Sequence, residues 1–399
     1  MSVSLSIIVK NEENSLPLCL NSVKDLVDEI VVLDTGSTDK TPEIAKEFDA
    51  KVYHFEWCND FSAARNTALK YVTSDWILVL DADETLTPEI IPHIKKVIEQ
   101  PEYLVINLVR QEVAASQSPY SLISRLFRNH LDIRFSRPYH ALIDDSIFEI
   151  LTSEPQWQIG YLPQIAILHT GYKSSVIREQ NKHTKAQVAM ESFLKKHSQD
   201  AYVCSKLGAL YIDLGKVNEG MELLKHGLAC GPFSDEVCYE LHYHLAIGYN
   251  KLKNYQRAIS HYQAAMILPI LPILKLGAYN NLGNLLKATG DIEGAKNAYF
   301  TALAIDPNFA AGNYNLGMTF KALGKFNDAI GFYEKAIALN PNYAEAYQNL
   351  GVVLLKVGQV QDSLKAFAKA ISLHAQQNPD EAKRLSQGLQ EMGFLIQHH

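Results

Sequence analysis

The stretch Trp76-Ile77-Leu78-Val79-Leu80-Asp81-Ala82-Asp83 decides the fold of the first half of this chain. Its apolar residues predict a buried parallel strand, because the strands of parallel sheets are covered on both faces. Two carboxylates, one residue apart, follow at the C-terminal end, where open α/β sheets bind ligands. Carboxylate oxygens suit the hard cations that carry phosphates. The stretch therefore predicts a metal-bound diphosphate at this edge of the sheet, although aspartates in such places also form turns.

Strands and helices alternate around this segment. Apolar and β-branched residues predict strands at 5–9, 29–33, 51–55 and 76–80, and helical spacing predicts helices at 16–27 and 61–71. Such alternation is typical of a parallel sheet with helices on both faces. We therefore predict an α/β domain that has a mostly parallel sheet and a Rossmann-like nucleotide-binding half.

Polar side chains also follow the first two predicted strands. Glu12 comes after the first strand and Asp34 after the second, so both are expected to converge with Asp81 and Asp83 in one crevice. Each has a structural alternative, because Asp34 can cap the turn at Gly36 and Glu12 can begin the next helix. The sequence has no GxGxxG and no GxxxxGK[ST] motif, so metal bound to carboxylates is the means of holding phosphates that it offers.

The composition limits the class of protein. With 399 residues the chain is long enough for two or three domains. Its net charge of −7 argues against a nucleic-acid binder, which needs a basic surplus. The five cysteines are scattered and outside any CxxC spacing, so thiols in a reducing compartment are expected. We find no signal-peptide pattern and no apolar run of transmembrane length, and we expect a cytoplasmic protein.

The second half of the chain repeats itself with a period of 34 residues. A Leu-Gly pair recurs at Leu282, Leu316 and Leu350, and a second glycine and two small residues follow each pair at constant offsets. Two degenerate copies precede these from about residue 201. The pattern resembles the tetratricopeptide repeat (TPR) family, which implies an all-α solenoid of about five helix pairs. Residues 381–397 are expected to form the polar capping helix.

Three asparagines recur in phase within this array. Asn281, Asn315 and Asn349 occupy the same place in successive repeats, on the first helix of each. In the TPR family this helix lines the concave face. A ladder of carboxamides there predicts binding to an extended peptide backbone, since each amide offers a donor and an acceptor. The alternative is hydrogen bonding between neighbouring repeats.

Four ordered motifs resemble those of glycosyltransferase family 2, which has the GT-A fold. They are residues 6–13 (SIIVKNEE), 31–41 (VVLDTGSTDKT), 61–66 (FSAARN) and 80–84 (LDADE). The resemblance covers roughly residues 3–170 and implies an inverting transferase that uses a nucleotide-diphosphate sugar and Mg²⁺ or Mn²⁺. Its fusion to TPRs resembles the bacterial branch that includes the sublancin-type peptide S-glycosyltransferases.

The resemblance implies a role for each residue at the sheet edge. Asp34 would accept hydrogen bonds from the base, expected to be uracil, and Glu12 would line the nucleoside. Arg65 would lie near the base or the pyrophosphate, unless it forms a salt bridge to Asp34 or Asp39 instead. Asp81 would bind ribose or metal, and Asp83 would bind the metal directly. The metal would neutralise the leaving diphosphate.

Two later segments resemble further marks of the family. They are residues 124–129 (SRLFRN) and 167–172 (ILHTGY), and the second implies that His169 completes the metal site. Imidazole is a fair ligand for Mn²⁺. The alternative is a histidine that is hydrogen-bonded at a strand end.

The general base for an inverting transfer is not fixed by the sequence. The family commonly has His-Glu where this chain reads His140-Ala141. Asp144 or Asp145, just downstream, could supply the carboxylate, and His140 could itself be the base. A thiol acceptor would need no strong base.

The predicted organisation is a GT-A domain at 1–170, a helical linker at 171–200 and a TPR array at 201–399. The array would recruit a protein or peptide acceptor, or hold a homodimer. Two alternatives stay open: a TPR adaptor whose GT-A domain has lost turnover, and a transferase that builds a small or lipid-linked glycan.

Overall fold

The computed structural model describes residues 1–113, 115, 118–171, 176–231 and 233–394, without the side chains of 176–182. These residues divide into two compact units. The first holds Met1–Ala115 with Pro119–Val237, and the second holds Ser118 and the described residues from Cys238 onward. Tyr172 of the ILHTGY segment and the last residues of the expected capping helix lie outside the described residues.

The first unit is built on an eight-stranded sheet in the order β3-β2-β1-β4-β7-β6-β8-β5. The strands are β1 Val3–Val9, β2 Glu29–Asp34, β3 Lys51–His54, β4 Trp76–Leu80, β5 Glu84–Leu86, β6 Tyr103–Glu112, β7 Tyr120–Arg128 and β8 Gln158–His169. The helices are α1 Leu16–Val23, α2 Thr41–Glu47, α3 Phe61–Leu69, α4 Ile91–Val97, α5 Asp144–Ser153, α6 Val176–Leu194, α7 Ala201–Asp213 and α8 Val217–Ala229.

The four strands predicted from sequence form the parallel half of this sheet, with β1 paired in parallel to both β2 and β4. The other half is mixed, because β7 runs antiparallel to β4 and β6 while β6 and β8 are parallel. The predicted α/β class is therefore confirmed. The carboxyl ends of β2 and β4 lie beside that of β1, so Asp34 and Asp81 share one edge of the sheet.

Apolar side chains cover both faces of the sheet. Leu5 and Ile7 lie in a buried cluster with residues of α1 on one face. Val79 lies in a second buried cluster, with Ile147 of α5, on the other. Trp76, which begins β4, is fully buried. Burial on both faces explains why β4 reads as an uninterrupted apolar run.

The second unit is a series of antiparallel helix pairs. Its helices are α9 Asp235–Lys251 (which begins in the first unit), α10 Tyr255–Ile267, α11 Leu276–Ala288, α12 Ile292–Ile305, α13 Ala310–Ala322, α14 Phe326–Leu339, α15 Ala344–Lys356, α16 Val360–Gln377 and α17 Pro379–Glu391. Gly324 has a φ of 72° in the turn between α13 and α14, a conformation that glycine adopts without strain. A Cβ on Gly317 would lie 2.6 Å from the Tyr333 ring, so a glycine is required there. The predicted TPR solenoid is confirmed.

No helix among the described residues is long and apolar enough to cross a membrane. The five cysteines all lie in the described ranges and form no disulfide.

Candidate functional site

Asp81 lies at the end of β4, between two arginines. Arg65, from α3, donates from Nη2 to Asp81 Oδ1 at 2.6 Å, and Arg125, from β7, donates from Nη2 to Asp81 Oδ2 at 3.2 Å. Burial alone would raise the pKa of Asp81, but the positive charges of Arg65 and Arg125 outweigh it and hold this pKa well below the usual carboxyl range. Asp81 is therefore an ionised partner of two guanidinium groups.

A β-bulge aims Arg125 at Asp81. In the pairing of β6 with β7, Ile106 faces Leu126 and the next residue, Asn107, faces Ser124. Arg125 is thus left without a partner on β6. Bulges redirect a side chain and are frequent beside active sites. This irregularity brings a residue from the antiparallel half of the sheet to the aspartate of the parallel half.

Asp83 belongs to a second network of hydrogen-bonded side chains at the same edge of the sheet. His169, the last residue of β8, approaches Asp83 Oδ2 through Nε2 at 3.1 Å and Glu112 Oε2 through Nδ1 at 2.5 Å. Burial alone would lower the pKa of His169, but the hydrogen bonds to Asp83 and Glu112 outweigh it and raise the pKa to about 9. Without a cation, the two carboxylates therefore favour the charged imidazole, which donates to both; a cation bound at Nε2 would take the place of that proton.

Arg110 joins the hydrogen-bond network around Asp81 to the network around Asp83 and His169. Its Nη1 lies 2.9 Å from Glu84 Oε1 and its Nη2 lies 2.9 Å from Glu112 Oε1. Glu84 is fully buried, and its other oxygen accepts a hydrogen bond from the backbone N–H of Asp81. Arg110 and Glu84 thereby fix the backbone of the Asp81-Ala82-Asp83 segment.

Asp83 and His169 offer the ligand atoms that a divalent cation would use. Gly171 keeps the approach to them open, since a Cβ there would lie 2.1 Å from Asp83 Oδ2 and 2.7 Å from His169 Nε2. Asp81, Asp83 and His169 do not bring one ligand atom each within 4.8 Å of one another. Within the described residues, His130, Asp132 and Glu154 do. The donor set fits a cation on Asp83 and His169, whereas both oxygens of Asp81 are bound by arginines.

Asp34 is buried at the end of β2 and caps its own turn. Its carboxylate accepts hydrogen bonds from the backbone N–H groups of Gly36 and Ser37, at 3.1–3.2 Å, and lies 3.4 Å from His54 Nδ1. Glu12 accepts a hydrogen bond from Ser15 within the segment that begins α1. Both structural alternatives considered from sequence are thus present, and contact with a nucleoside stays a prediction for these residues.

The three candidate bases differ in their surroundings. His140 is exposed, with a φ of 51°, and its ring meets that of Tyr139 edge-on. Asp145 is held by Arg137, whose Nη1 and Nη2 lie 2.8 and 3.1 Å from its two oxygens. Asp144, the first residue of α5, accepts a hydrogen bond from Ser124 Oγ at 3.2 Å.

Asp144 has a raised pKa. The side chain is accessible to solvent, yet desolvation by the surrounding protein raises its pKa, which the hydrogen bond from Ser124 only partly offsets. A carboxylate with a raised pKa is a stronger base. Asp145, in contrast, is committed to an ion pair with a buried arginine.

Arg137 connects this region to the first repeat helix of the same unit. It has a left-handed backbone conformation, with a φ of 73°. Its Nε donates at 2.9 Å to Asp200 Oδ2, and the other oxygen of Asp200 caps α7 by accepting from the N–H of Val203. Arg137 also lies over the ring of Tyr202. One side chain therefore ties the start of α5 to the start of α7.

Sequence reasoning missed three residues of this site. Arg110 and Glu112 lie in β6, and Arg125 was noted only as part of a motif. Arg110 and Glu112 stand two residues apart in β6, which places both on one face. Two opposite charges at that spacing near the end of a strand are the signal that could have identified them.

The three asparagines of the array are engaged between repeats. Asn281 donates to the Tyr243 hydroxyl at 3.0 Å, and Asn349 donates to the Tyr314 hydroxyl at 3.1 Å. Asn315 donates to a neighbouring asparagine of the preceding repeat at 2.8 Å. Their role in binding a partner stays a prediction.

Comparison with known proteins agrees with this architecture. The family model described as glycosyl transferase family 2 matches residues 4–165. TPR models match residues 283–324, 318–358 and 344–377. A TPR repeat-containing protein of Synechococcus elongatus is 46% identical over 305 residues, which cover 76% of each chain. The chain belongs to the family 2 glycosyltransferases that carry TPR repeats. The sequence resemblance to this family is thus confirmed.

Other relatives match only part of this TPR-bearing glycosyltransferase. The SPbeta prophage-derived glycosyltransferase SunS of Bacillus subtilis is 34% identical over 178 residues, which cover 44% of this chain and 40% of SunS. Among solved structures, the TPR protein YrrB superposes with a TM-score of 0.40 at 17% identity, covering 51% of this chain and 98% of YrrB.

Proposed function

We propose that this protein transfers a sugar, with inversion, from a nucleotide-diphosphate sugar to an acceptor, and that Asp144 is the general base. The polar edge around Asp81 and Asp83 supports this reading, because it joins cationic and carboxylate groups at the ligand-binding end of a parallel sheet. The family 2 match covers this edge. The expected donor is a UDP-sugar.

Arg65 and Arg125 place positive charge where the anionic diphosphate of the donor would bind. Arg65 is 6% exposed, and its Nη1, like that of Arg125, is a buried donor with no hydrogen-bond partner in the described residues. An unsatisfied buried donor is costly, and an anion reaching these groups would relieve that cost. Asp81 holds both guanidinium groups in place through one hydrogen bond each.

Asp83 and His169 would hold the divalent cation, Mn²⁺ or Mg²⁺. When bound, such a cation neutralises charge on the leaving diphosphate. His169 is kept in orientation by Glu112, because a ligating imidazole is steered by the hydrogen bond of its other nitrogen. Asp144 takes the proton of the acceptor group, and Ser124 keeps its carboxylate oriented.

Donor binding is expected to depend on the cation through Asp83. UDP with Mn²⁺ should stabilise the wild type by about 2.7 kcal/mol at a hundredfold excess over Kd, by mass action. Asp83→Ala should lose most of this gain because it removes a ligand, whereas the exposed Asp25→Ala should keep it. Thermal melts with UDP, GDP and CDP, each with and without Mn²⁺, measure the effect and the base preference. An equal shift in wild type and Asp83→Ala would rule out the metal role of Asp83.

The TPR array is proposed to recruit the acceptor through Asn281, Asn315 and Asn349. Replacing all three by alanine should raise the KM for a protein acceptor by up to about a hundredfold, since each lost hydrogen bond is worth about 1 kcal/mol. The melting shift given by UDP with Mn²⁺ should not change. Replacing the exposed Asn297, Asn308 and Asn327 provides a matched control.

If the KM rises equally for a short soluble acceptor, or does not rise at all, the asparagines do not bind the partner. Dissociation of the variant into monomers, measured by light scattering, would assign the ladder to a homodimer instead.

A further inference from the structure

Three polar side chains form a row across the sheet next to Asp144. Ser124 of β7 pairs with Asn107 of β6, and Asn107 pairs with Tyr161 of β8. Side chains of paired residues on adjacent strands point to the same face and stand about 5 Å apart. Ser124, Asn107 and Tyr161 therefore form one continuous polar strip, which we call the polar row.

The polar row faces the proposed base. Ser124 Oγ donates to Asp144 Oδ1 at 3.2 Å at one end. Burial raises the pKa of Tyr161 at the other end, and the negative charges of Glu236 and Asp144 add to this rise, while a hydrogen bond from the Asn107 side chain partly offsets it. Asp144 is thus close enough to act electrostatically on Tyr161 across the row.

The residue in the middle of the polar row has an unpaired hydrogen-bond acceptor. Asn107 Oδ1 is buried and has no partner among the described residues. Leaving such an acceptor unpaired costs about 1–3 kcal/mol. The neighbouring Tyr161 is 46% exposed, so its ring offers an accessible aromatic face beside the unpaired oxygen.

We propose that the polar row is the acceptor subsite, and that it takes a hydroxyl group of a sugar ring carried by the recruited acceptor, with a second hydroxyl nearby, rather than a cysteine thiol. This inference rests on the proposed function, with Asp144 as the base. The second hydroxyl donates to Asn107 Oδ1. The Tyr161 ring packs against the C–H face of the acceptor sugar.

The transfer step then balances. The acceptor oxygen forms a bond to the anomeric carbon of the donor sugar as the bond from that carbon to the diphosphate oxygen breaks. The diphosphate leaves with the electron pair, and the acceptor hydroxyl proton passes to Asp144. A thiol ionises near pH 8.5 and needs little help from a base. It also carries a single weak donor, which would leave Asn107 unpaired.

Acceptor dependence of UDP release tests the inference, with the UDP-sugar that gives the largest melting shift as donor. Methyl glycosides of common hexoses should accelerate UDP release by the wild type, whereas N-acetylcysteinamide should not. Asn107→Leu, which keeps the branching and the number of side-chain heavy atoms but removes the acceptor atom, should raise the KM for the best glycoside about tenfold. The exposed Asn218→Leu is the matched control.

Two Tyr161 variants separate the ring from the hydroxyl. Tyr161→Phe should keep the KM for the glycoside within about threefold, and Tyr161→Ala should raise it about tenfold, because stacking needs the ring. All variants should keep the wild-type melting shift with the donor, which shows that they fold.

Acceleration by N-acetylcysteinamide and by no glycoside would overturn the inference, as would an unchanged KM in Asn107→Leu. In either case the melting shift with the donor would persist and the proposed function would stand. Absence of any melting shift with nucleotide sugars would overturn the proposed function itself, and this inference with it.

Discussion

Replacing Asp144 by asparagine is expected to slow sugar transfer by about 10²–10⁴-fold, the usual contribution of a general base. Asparagine keeps the shape and can still accept the hydrogen bond from Ser124, but it cannot take a proton. Binding of the nucleotide sugar should be retained, because the donor contacts lie around Asp81 and Asp83. The measurement is the single-turnover rate at saturating donor, together with the melting shift that the donor gives.

The pH dependence of the single-turnover rate identifies the residue that acts as the general base. Asp144 works in its ionised form and its pKa is raised by desolvation. The rate should therefore fall as the pH drops through a pKa above the ordinary carboxyl value of about 4. Asp144→Asn should lose this acidic limb. Asp145→Asn should keep it, with a loss of less than about tenfold, because Asp145 serves Arg137. A full loss in Asp145→Asn with the limb intact in Asp144→Asn would reverse the assignment.

Asp81→Ala is expected to lower the free energy of unfolding by about 2–3 kcal/mol. Breaking a buried ion pair costs about 3–5 kcal/mol, and the cost is reduced here because the Asp81 side chain is 34% exposed. Two buried guanidinium groups would lose their carboxylate. Urea unfolding at pH 7 measures the change, and Asp25→Ala, in an exposed turn, should stay within about 0.5 kcal/mol.

The contribution of Asp81 should also depend on pH in a defined direction. Its pKa is lowered in the folded protein. Its stabilisation is therefore complete above the unfolded carboxyl pKa of about 4 and is lost as the pH falls toward the folded value. The difference between wild type and Asp81→Ala should shrink below about pH 4. A difference that is absent at pH 7 would show that solvent replaces the carboxylate without cost.

The parallel half of the sheet could be predicted because its signals are local. Each strand is an apolar run that ends in polar residues, as Val31-Val32-Leu33-Asp34 shows. The repeats could be recognised from their constant period in the sequence. The mixed half of the sheet could not be predicted, because many residues of β7 are only half-buried and show no clear alternation of buried and exposed positions. The pairing of β6 with β8 depends on contacts between segments distant in sequence.

The residues of the candidate site could be predicted from the sequence, but the contacts between them could not. The sequence marked Asp81 and Asp83 equally, and only the bulge at Arg125 separates a carboxylate held by arginines from one facing His169. Asp144 and Asp145 are chemically identical neighbours. Their difference arises from Arg137 and Ser124, whose positions the sequence does not give.

The tie from Arg137 to Asp200 has a consequence for how such proteins can be recombined. A gene fragment that ends near residue 170 would encode the whole sheet and yet remove Asp200 and Tyr202, leaving the Nε of a mostly buried arginine without its acceptor. The first repeat helices, α7 and α8, therefore belong to the same compact unit as the sheet. Exchange or loss of repeats without damage to the first unit is therefore expected only beyond α9, within which that unit ends at Val237.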